Sequence, residues 1–181
     1  MKKLIITITF LLTFINSYSQ EYGEIVKDSS VKMRIIGLNK FDSLTLQKTK
    51  DLITEYFGFE TTISNDTFNV ENLFFNAENV INLDKFEQTV YNSIPTLYIT
   101  NYPMIDGNYE SQALGATIKN FLSIMIDGSH PWEDLKIGII HEVGHLYGLS
   151  HCENEYCIMN KKSVNNKNLK FCNKCVMTIY K

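Results

Sequence analysis

The sequence predicts one α/β domain in which a mixed β-sheet is backed by helices. Two observations predict this fold class. Apolar, β-rich runs alternate with segments of helical periodicity along the chain, and 181 residues with 44% apolar content are enough for a single hydrophobic core. We assign residues 20–181 to this domain and expect a cysteine-rich subdomain at about residues 152–181.

The first nineteen residues are predicted to lie outside the domain, as a signal peptide. Lys2 and Lys3 form a basic start, residues 4–15 form an apolar run, and Ser17-Tyr18-Ser19 offers small residues for cleavage. A run of this length is too short to span a bilayer. We therefore expect an exported protein, secreted or periplasmic, that begins at Gln20, has no stable membrane insertion and needs no further proteolytic maturation.

The charge balance argues against one class of partner. Removing Lys2 and Lys3 from the 17 basic residues leaves 15 against 20 acidic residues, a net charge of −5. Binding of nucleic acid requires a basic face, which this composition does not supply. We expect no nucleic-acid partner.

The first half of the domain is assigned from its local patterns. Strands are predicted where β-rich apolar runs occur, at residues 31–38, 59–64, 96–100, 112–118 and 121–127. Asp42 or Ser43 caps a helix that continues to Phe57 and stops at Gly58, since glycine favours the left-handed conformation that ends helices.

Two further helices complete the predicted order. A weak helical pattern covers residues 84–92, within a segment, 65–95, whose pattern is otherwise hard to interpret. A last helix is expected from about Pro131 to Tyr147, because Leu135, Ile139, Val143 and Leu146 form an apolar stripe along it.

Residues 141–151 read HEVGHLYGLSH and carry the strongest functional signal. His141 and His145 are four residues apart, so they lie on one face of a helix and can bind one metal ion. Gly148 allows the chain to leave the helix and to bring His151 back to the same ion. Three imidazoles with an open fourth position are typical of a catalytic zinc site rather than a structural one.

Glu142 gives this site the chemistry of a metallopeptidase. It lies one residue from His141, close enough to hold and deprotonate a water on the ion. A bare HExxH occurs by chance on helices, but the extended HExxHxxGxxH pattern is far more specific. The remaining histidine of the four, His130, precedes Pro131 and is assigned to a cap or loop at the start of the helix.

All four cysteines follow this motif, and their spacing leaves two interpretations open. Cys152 and Cys157 form a Cx4C pair, and Cys172 and Cys175 form a CxxC pair. Two close pairs suit a four-thiolate structural zinc site. Two disulfides are the alternative, since an exported protein meets an oxidising compartment. The CxxC spacing favours zinc.

At this point the chain resembles a known family. The histidine motif, followed by Cys152, Cys157-Ile158-Met159 and Cys172-Asn173-Lys174-Cys175, is similar to the archaemetzincin signature. The resemblance covers about residues 131–175. It departs from the family in a shorter loop between Met159 and Cys172 and in the predicted signal peptide, so the choice between zinc and disulfides stays open.

The resemblance implies both a fold and a set of roles. The fold would be metzincin-like: a twisted mixed sheet, a backing helix and an active-site helix above a small zinc-stabilised C-terminal subdomain. A catalytic zinc would be bound by His141, His145 and His151, with Glu142 as general base and Met159 forming a methionine turn. A structural zinc would be bound by Cys152, Cys157, Cys172 and Cys175. Residues 112–118 would form the sheet edge above the cleft, where a peptide can add as a strand.

Three functions are compatible with these patterns. The first is a zinc peptidase, a monomer acting on a peptide or protein substrate as either an aminopeptidase or an endopeptidase. For an aminopeptidase, Glu110 or Glu133 would be a candidate anchor for the free amine. The second is a catalytically silent, zinc-dependent peptide-binding protein, which would not require Glu142. The third is a disulfide-stapled secreted module, which leaves the histidine motif to chance.

Overall fold

The computed structural model describes residues 22–39, 41–66, 68–75, 79–90, 92–105, 112–118, 122–163 and 167–180. The predicted signal peptide lies outside these residues and stays a prediction. Four helices and nine strands occur in the described part of the chain. The helices are α1 (Ser43–Phe57), α2 (Leu83–Thr89), α3 (Trp132–Leu146) and α4 (Asn173–Ile179). The strands are β1 (Lys32–Gly37), β2 (Glu60–Ser64), β3 (Phe74–Phe75), β4 (Val80–Asn82), β5 (Thr96–Thr100), β6 (Met104–Ile105), β7 (Gln112–Ala113), β8 (Gly115–Thr117) and β9 (Ser123–Asp127).

The main sheet is mixed, as the sequence predicted, and has the order β2-β1-β5-β9-β8. Its first four strands run parallel, whereas β8 pairs antiparallel with β9 at one edge. Every residue of β5 and β9 is buried, as expected for parallel strands covered on both faces. The predicted sheet edge above the cleft is therefore strand β8.

Alternate residues of the main strands supply two separate cores. Ile35, Ile99 and Ile126 belong to the larger core, which also contains residues of α1, α3 and the cysteine-rich segment. Ile36 and Met125 face the opposite side and pack with α2 and the smaller sheet. Helices α1 and α3 thus lie on one face of the main sheet, and the predicted α/β class with a mixed sheet is confirmed.

Helix α1 begins and ends where its sequence predicted. The Asp42 side chain accepts a hydrogen bond from the Thr45 backbone N–H at 2.8 Å, which satisfies a free amide at the N-terminus. Gly58 adopts a left-handed φ of 78° and donates to the Thr54 carbonyl, which closes the helix. Phe57, at the last turn, is fully buried.

The segment between β2 and β5 differs from the prediction. It contains a 3-10 helix at Val70–Leu73 and strands β3 and β4, which join β6 and β7 in a second sheet of order β3-β4-β6-β7. Helix α2 begins at Leu83 rather than at residue 84 and ends at Thr89 rather than at residue 92. Its start follows from Asn82, whose side chain caps the Lys85 N–H.

The predicted strand at residues 112–118 is divided between the two sheets. Gln112 and Ala113 pair with β6, whereas residues 115–117 pair with β9. Leu114 lies between the two strands, and its carbonyl accepts a hydrogen bond from the Asp127 N–H. In the part of the chain that the structure describes, no helix is both long and apolar enough to cross a membrane.

Candidate active site

Helix α3 positions the first two histidines of the motif. It runs from Trp132 to Leu146, and its last turn is held by the Tyr147 N–H, which donates to the Gly144 carbonyl. The Tyr147 ring stacks on Phe57 at a centroid distance of 5.8 Å, which packs this end of α3 against α1. Gly148 adopts a φ of +74°, as the sequence predicted, so the chain turns out of the helix there.

The structure brings the three predicted histidines together. One ring nitrogen from each of His141, His145 and His151 lies within 4.8 Å of the others, so the three imidazoles can share one ion. His141 is buried, His145 is half-buried and His151 is exposed. The open side of the group therefore faces solvent, where a substrate can reach it.

Backbone carbonyls orient the first two imidazoles. His141 Nδ1 lies 2.7 Å from the Ile158 oxygen, and His145 Nδ1 lies 2.6 Å from the Leu149 oxygen. Because a carbonyl only accepts a hydrogen bond, each Nδ1 must carry the hydrogen, which leaves Nε2 as the atom with a free lone pair. Outer partners of this kind select the tautomer of zinc-binding histidines.

The electrostatics of the site favour neutral imidazoles. The pKa of His141 is lowered to about 4, chiefly by burial; the Ile158 carbonyl opposes the change, and the neighbouring histidines add to it. Burial also lowers the pKa of His151. Neutral imidazole is the metal-binding form, so this donor set fits a zinc ion near pH 7.

Glu142 is a buried carboxylic acid whose environment suits proton transfer. It is 8% exposed, and burial raises its pKa, while a hydrogen bond from Thr117 and the nearby His145 oppose the rise. The Thr117 hydroxyl donates to Glu142 Oε2 at 2.6 Å. Thr117 lies on β8, so a residue of the edge strand contacts the predicted general base.

Sequence reasoning missed Thr117 as part of the site. Nothing in the local pattern marks it, since its contact depends on β8 lying beside α3. Gly115, two residues earlier on β8, also borders the carboxylate: a Cβ at that position would lie 2.8 Å from Glu142 Cγ. The assignment of residues 112–118 to the sheet edge predicted the position of the strand. It did not predict these contacts.

The four cysteines form a second group of possible metal ligands. Their sulfurs all lie within 4.8 Å of one another, with 3.7 Å between Cys152 and Cys172 and 3.6 Å between Cys157 and Cys175. Four sulfurs bonded to one zinc at about 2.3 Å would lie ~3.8 Å apart, because the site is tetrahedral. All four cysteines are free thiols in the structure, so the arrangement fits zinc better than disulfides.

Hydrogen bonds within the cysteine group already favour a thiolate. The pKa of Cys157 is lowered, chiefly by the hydrogen bond between the Cys157 and Cys175 sulfurs; burial opposes this change, and the Cys172 backbone N–H, which donates to the Cys157 sulfur, adds to it. The pKa of Cys175 is raised by the same bond. Thiolates are the form that binds zinc.

The cysteine-rich segment also supports the histidine site. Ile158, whose carbonyl orients His141, follows Cys157 directly, and the Cys152 N–H donates to the Met159 carbonyl at 2.8 Å. Met159 is fully buried and lies so close to α3 that a Cβ at Gly144 would come within 2.6 Å of its sulfur. Met159 thus packs against the turn of α3 that separates the two helical histidines, a place compatible with a methionine turn.

Two other candidates, His130 and Glu133, lie apart from this centre. His130 is in the loop before α3, as expected, with its Nε2 at 3.6 Å from Asp127 Oδ2. Glu133 is in the first turn of α3, about 12 Å along the axis from His141, and pairs with Lys136. It is therefore unsuited to anchor a substrate amine at the histidines. Glu110 lies outside the described residues.

Comparisons with known proteins agree with this site. The model of peptidase family M54 matches residues 107–181. An archaemetzincin from Saccharolobus solfataricus is 29% identical over 183 residues, covering 84% of this chain and 95% of the relative. A second archaemetzincin, from Sulfolobus acidocaldarius, is 26% identical over 166 residues, with 80% and 93% covered.

Two solved structures show the same fold. The crystal structure of an archaemetzincin from Archaeoglobus fulgidus, complexed with malonate, superposes with a TM-score of 0.70 at 19% identity, covering 82% of this chain and 99% of that one. The archaemetzincin of Methanopyrus kandleri gives a TM-score of 0.68 at 16% identity, with 86% and 97% covered. The resemblance inferred from the motif is confirmed: residues 107–181 match peptidase family M54, and the chain is similar to archaemetzincins in both sequence and fold.

Proposed function

We propose that this chain hydrolyses peptide bonds with one zinc ion held by His141, His145 and His151 and with Glu142 as general base. The observation that carries the proposal is the geometry of the histidines: three ring nitrogens converge within 4.8 Å, and the two helical rings are oriented by carbonyls. A buried carboxylic acid lies one residue from the first histidine. A structural metal site does not require such a group.

The proposed mechanism assigns the proton transfers to Glu142. Zinc, when bound, supplies a Lewis acid that lowers the pKa of a water towards about 7 and polarises a peptide carbonyl. Glu142 accepts the proton as the water attacks the carbonyl, and it then donates this proton to the departing amine. Burial raises the pKa of Glu142, which brings its proton affinity closer to that of the groups with which it exchanges protons.

Strand β8 is the proposed binding site for the peptide backbone. It is the edge strand of the main sheet, so its outer side can pair with an extended peptide. A cavity of about 240 Å³ lies along the same edge and gives room for a substrate side chain; it is lined by Leu83, Asp84, Phe86, Glu87, Ala116, Thr117 and Ile118. Peptide addition there would place a substrate beside Glu142, which Thr117 contacts.

We also propose a second zinc ion at the four cysteines. The separations of 3.6 and 3.7 Å within the sulfur pairs support it, because they approach the edges of a zinc-centred tetrahedron. Its role would be structural, since all four positions are filled and none is left for water. Cys157 directly precedes Ile158, whose carbonyl orients His141, so this ion would stabilise the catalytic site from outside.

The competing function is a silent peptide-binding protein with the same zinc site. Binding alone would not favour a buried acid beside the metal, because burying an ionisable group costs stability. Glu142→Ala tests the choice, with Glu133→Ala on the same helix as its control. We expect Glu142→Ala to keep its zinc and fold but to lose turnover at least ~100-fold, while Glu133→Ala retains both. Full activity of Glu142→Ala would overturn the proposed mechanism.

Export is a further part of the proposal, supported by the basic start, the apolar run and the small residues before Gln20. Mass spectrometry of protein from fractionated cells should find an N-terminal peptide that begins at Gln20, outside the cytoplasm. An intact Met1 in the cytoplasmic fraction would contradict export. We propose that the exported chain is a monomer, which sedimentation equilibrium would test.

A further inference from the structure

We propose that Thr117 is a positioning residue that holds the Glu142 carboxylate in its reactive orientation, so that the edge strand forms part of the catalytic machinery. This inference rests on the proposed role of Glu142 as general base. It extends that role by naming the residue of a different element that orients the base. Thr117 would act through the Glu142 carboxylate, to which it donates a hydrogen bond.

The hydrogen-bond geometry identifies the partner of the Thr117 hydroxyl. Its oxygen lies 2.6 Å from Glu142 Oε2 and 3.1 Å from the Glu142 backbone carbonyl. A hydroxyl has one hydrogen to donate, and an O–H bond to a carboxylate is both shorter and stronger than a bond to a neutral carbonyl. The hydrogen therefore goes to Oε2, and the other carboxylate oxygen remains for proton transfer.

Gly115, on the same strand as Thr117, leaves the space that the Glu142 side chain occupies. Residues two apart on a strand share a face, so Gly115 and Thr117 both face α3. A side chain at Gly115 would begin 2.8 Å from Glu142 Cγ and 3.3 Å from Cδ. The edge strand thus provides space at position 115 and a hydrogen-bond donor at position 117, and together these define the position of the Glu142 side chain.

The contacts with the edge strand orient the Glu142 carboxylate, which burial alone would not do. A glutamate side chain rotates about three bonds. Apolar neighbours limit the space open to it but do not distinguish its two carboxyl oxygens. A donor at 2.6 Å selects one oxygen and one rotamer. Outer partners of this kind typically change activity about 10- to 100-fold when they are removed.

The activity test compares Thr117→Val, Thr117→Ser and Thr62→Val in the zinc-loaded protein. Valine keeps the shape and removes the donor, whereas serine keeps the donor. Thr62→Val makes the same change on an exposed residue of β2, at the opposite edge of the sheet. We expect Thr117→Val to lower kcat about 10- to 100-fold with KM and zinc content unchanged, and Thr117→Ser to restore most of it. Thr62→Val should match the parent.

Two outcomes of this comparison would overturn the proposal: a Thr117→Val enzyme with the parental kcat, or a serine variant as impaired as the valine variant. Glu142→Ala, measured in parallel, separates this failure from a failure of the proposed function. If Glu142→Ala is inactive while Thr117→Val is fully active, only the positioning role fails. If Glu142→Ala is active, the assignment of the base fails.

A second measurement does not depend on turnover. In the metal-free protein, Thr117→Val should lower the Tm more in the parent than in the Glu142→Ala background. Only the parent loses a hydrogen bond to a carboxylate, whereas in the variant the hydroxyl can bond only to the neutral backbone carbonyl of residue 142, which is a weaker acceptor. We expect the Tm shift to fall by at least about half in that background. Equal shifts in the two backgrounds would show that Thr117 acts independently of Glu142, and the proposal would be wrong.

Discussion

The metal-free protein should lose stability below pH 6.5 because His141 resists protonation in the fold. The His141 ring is buried between α3 and the Ile158 carbonyl, and its pKa falls from the ordinary 6.5 to about 4. As the pH falls below 6.5, the unfolded chain binds a proton at this residue while the folded chain does not. The stabilising effect is therefore fully present above pH 6.5 and is lost progressively down to about pH 4.

The size of the effect follows from the two pKa values. Each tenfold change in proton affinity corresponds to ~1.4 kcal/mol, so a fall in the pKa from 6.5 to about 4 corresponds to about 3 kcal/mol of stability. The Glu142 carboxyl acts in the opposite direction. Since its pKa is raised, its contribution is present below the ordinary carboxyl pKa and decreases as the pH rises.

The assay compares urea unfolding of the parent and His141→Asn, both metal-free, at pH 7.5 and pH 4. Asparagine keeps a donor for the Ile158 carbonyl but does not titrate, and Glu142 is common to both proteins and cancels in the comparison. Between the two pH values the parent should lose about 3 kcal/mol more than the variant. Identical losses would refute the inference that His141 is held neutral by its surroundings.

Three further predictions test other parts of the site. Gly115→Ala should cost about 1–3 kcal/mol in urea unfolding, since its Cβ would meet Ile126 Cδ1 at 2.5 Å and Glu142 Cγ at 2.8 Å. Because the second contact displaces the proposed base, turnover should fall at least ~10-fold; parental values would show that the strand adjusts freely. Gly148→Ala should lower the free energy of unfolding by only about 1–2 kcal/mol, because its φ is +74° but nothing lies within 4 Å of a new Cβ. Competition with a chelator should show weaker zinc binding by this variant. Unchanged stability and unchanged zinc affinity would contradict this prediction. Thiol titration of the denatured, chelated protein should find four free thiols, whereas finding none would establish two disulfides.

Much of the main sheet and its two large helices could be predicted because their signals are local. Asp42 and Gly58 mark the two ends of α1 through their own conformational preferences, and β5 and β9 are runs of apolar residues bounded by turns. The second sheet could not be predicted. Strands of two or three residues, such as β3 and β6, are too short to show an alternating pattern, and both are held in the sheet by their pairing with β4.

The site shows the same division between local and tertiary information. His141, His145 and His151 lie within eleven residues, so their spacing alone predicts that they converge. The groups that orient the site residues could not be predicted in this way. The Ile158 and Leu149 carbonyls are backbone atoms that any residue would supply, and Thr117 is brought to Glu142 by strand pairing. For the cysteines, spacing left zinc and disulfides open, whereas the sulfur separations favour zinc.

Hydrolysis of peptide bonds by the histidine site and Glu142 can be tested directly by mass spectrometry. A diverse peptide library would be incubated with the zinc-loaded chain 20–181, with Glu142→Ala and a chelated sample as controls. We expect cuts that disappear in both controls and return when zinc is restored, and their positions will distinguish trimming of N-termini from internal cleavage. An uncut library, with zinc bound at the three histidines, would contradict the proposed hydrolysis and favour the peptide-binding protein.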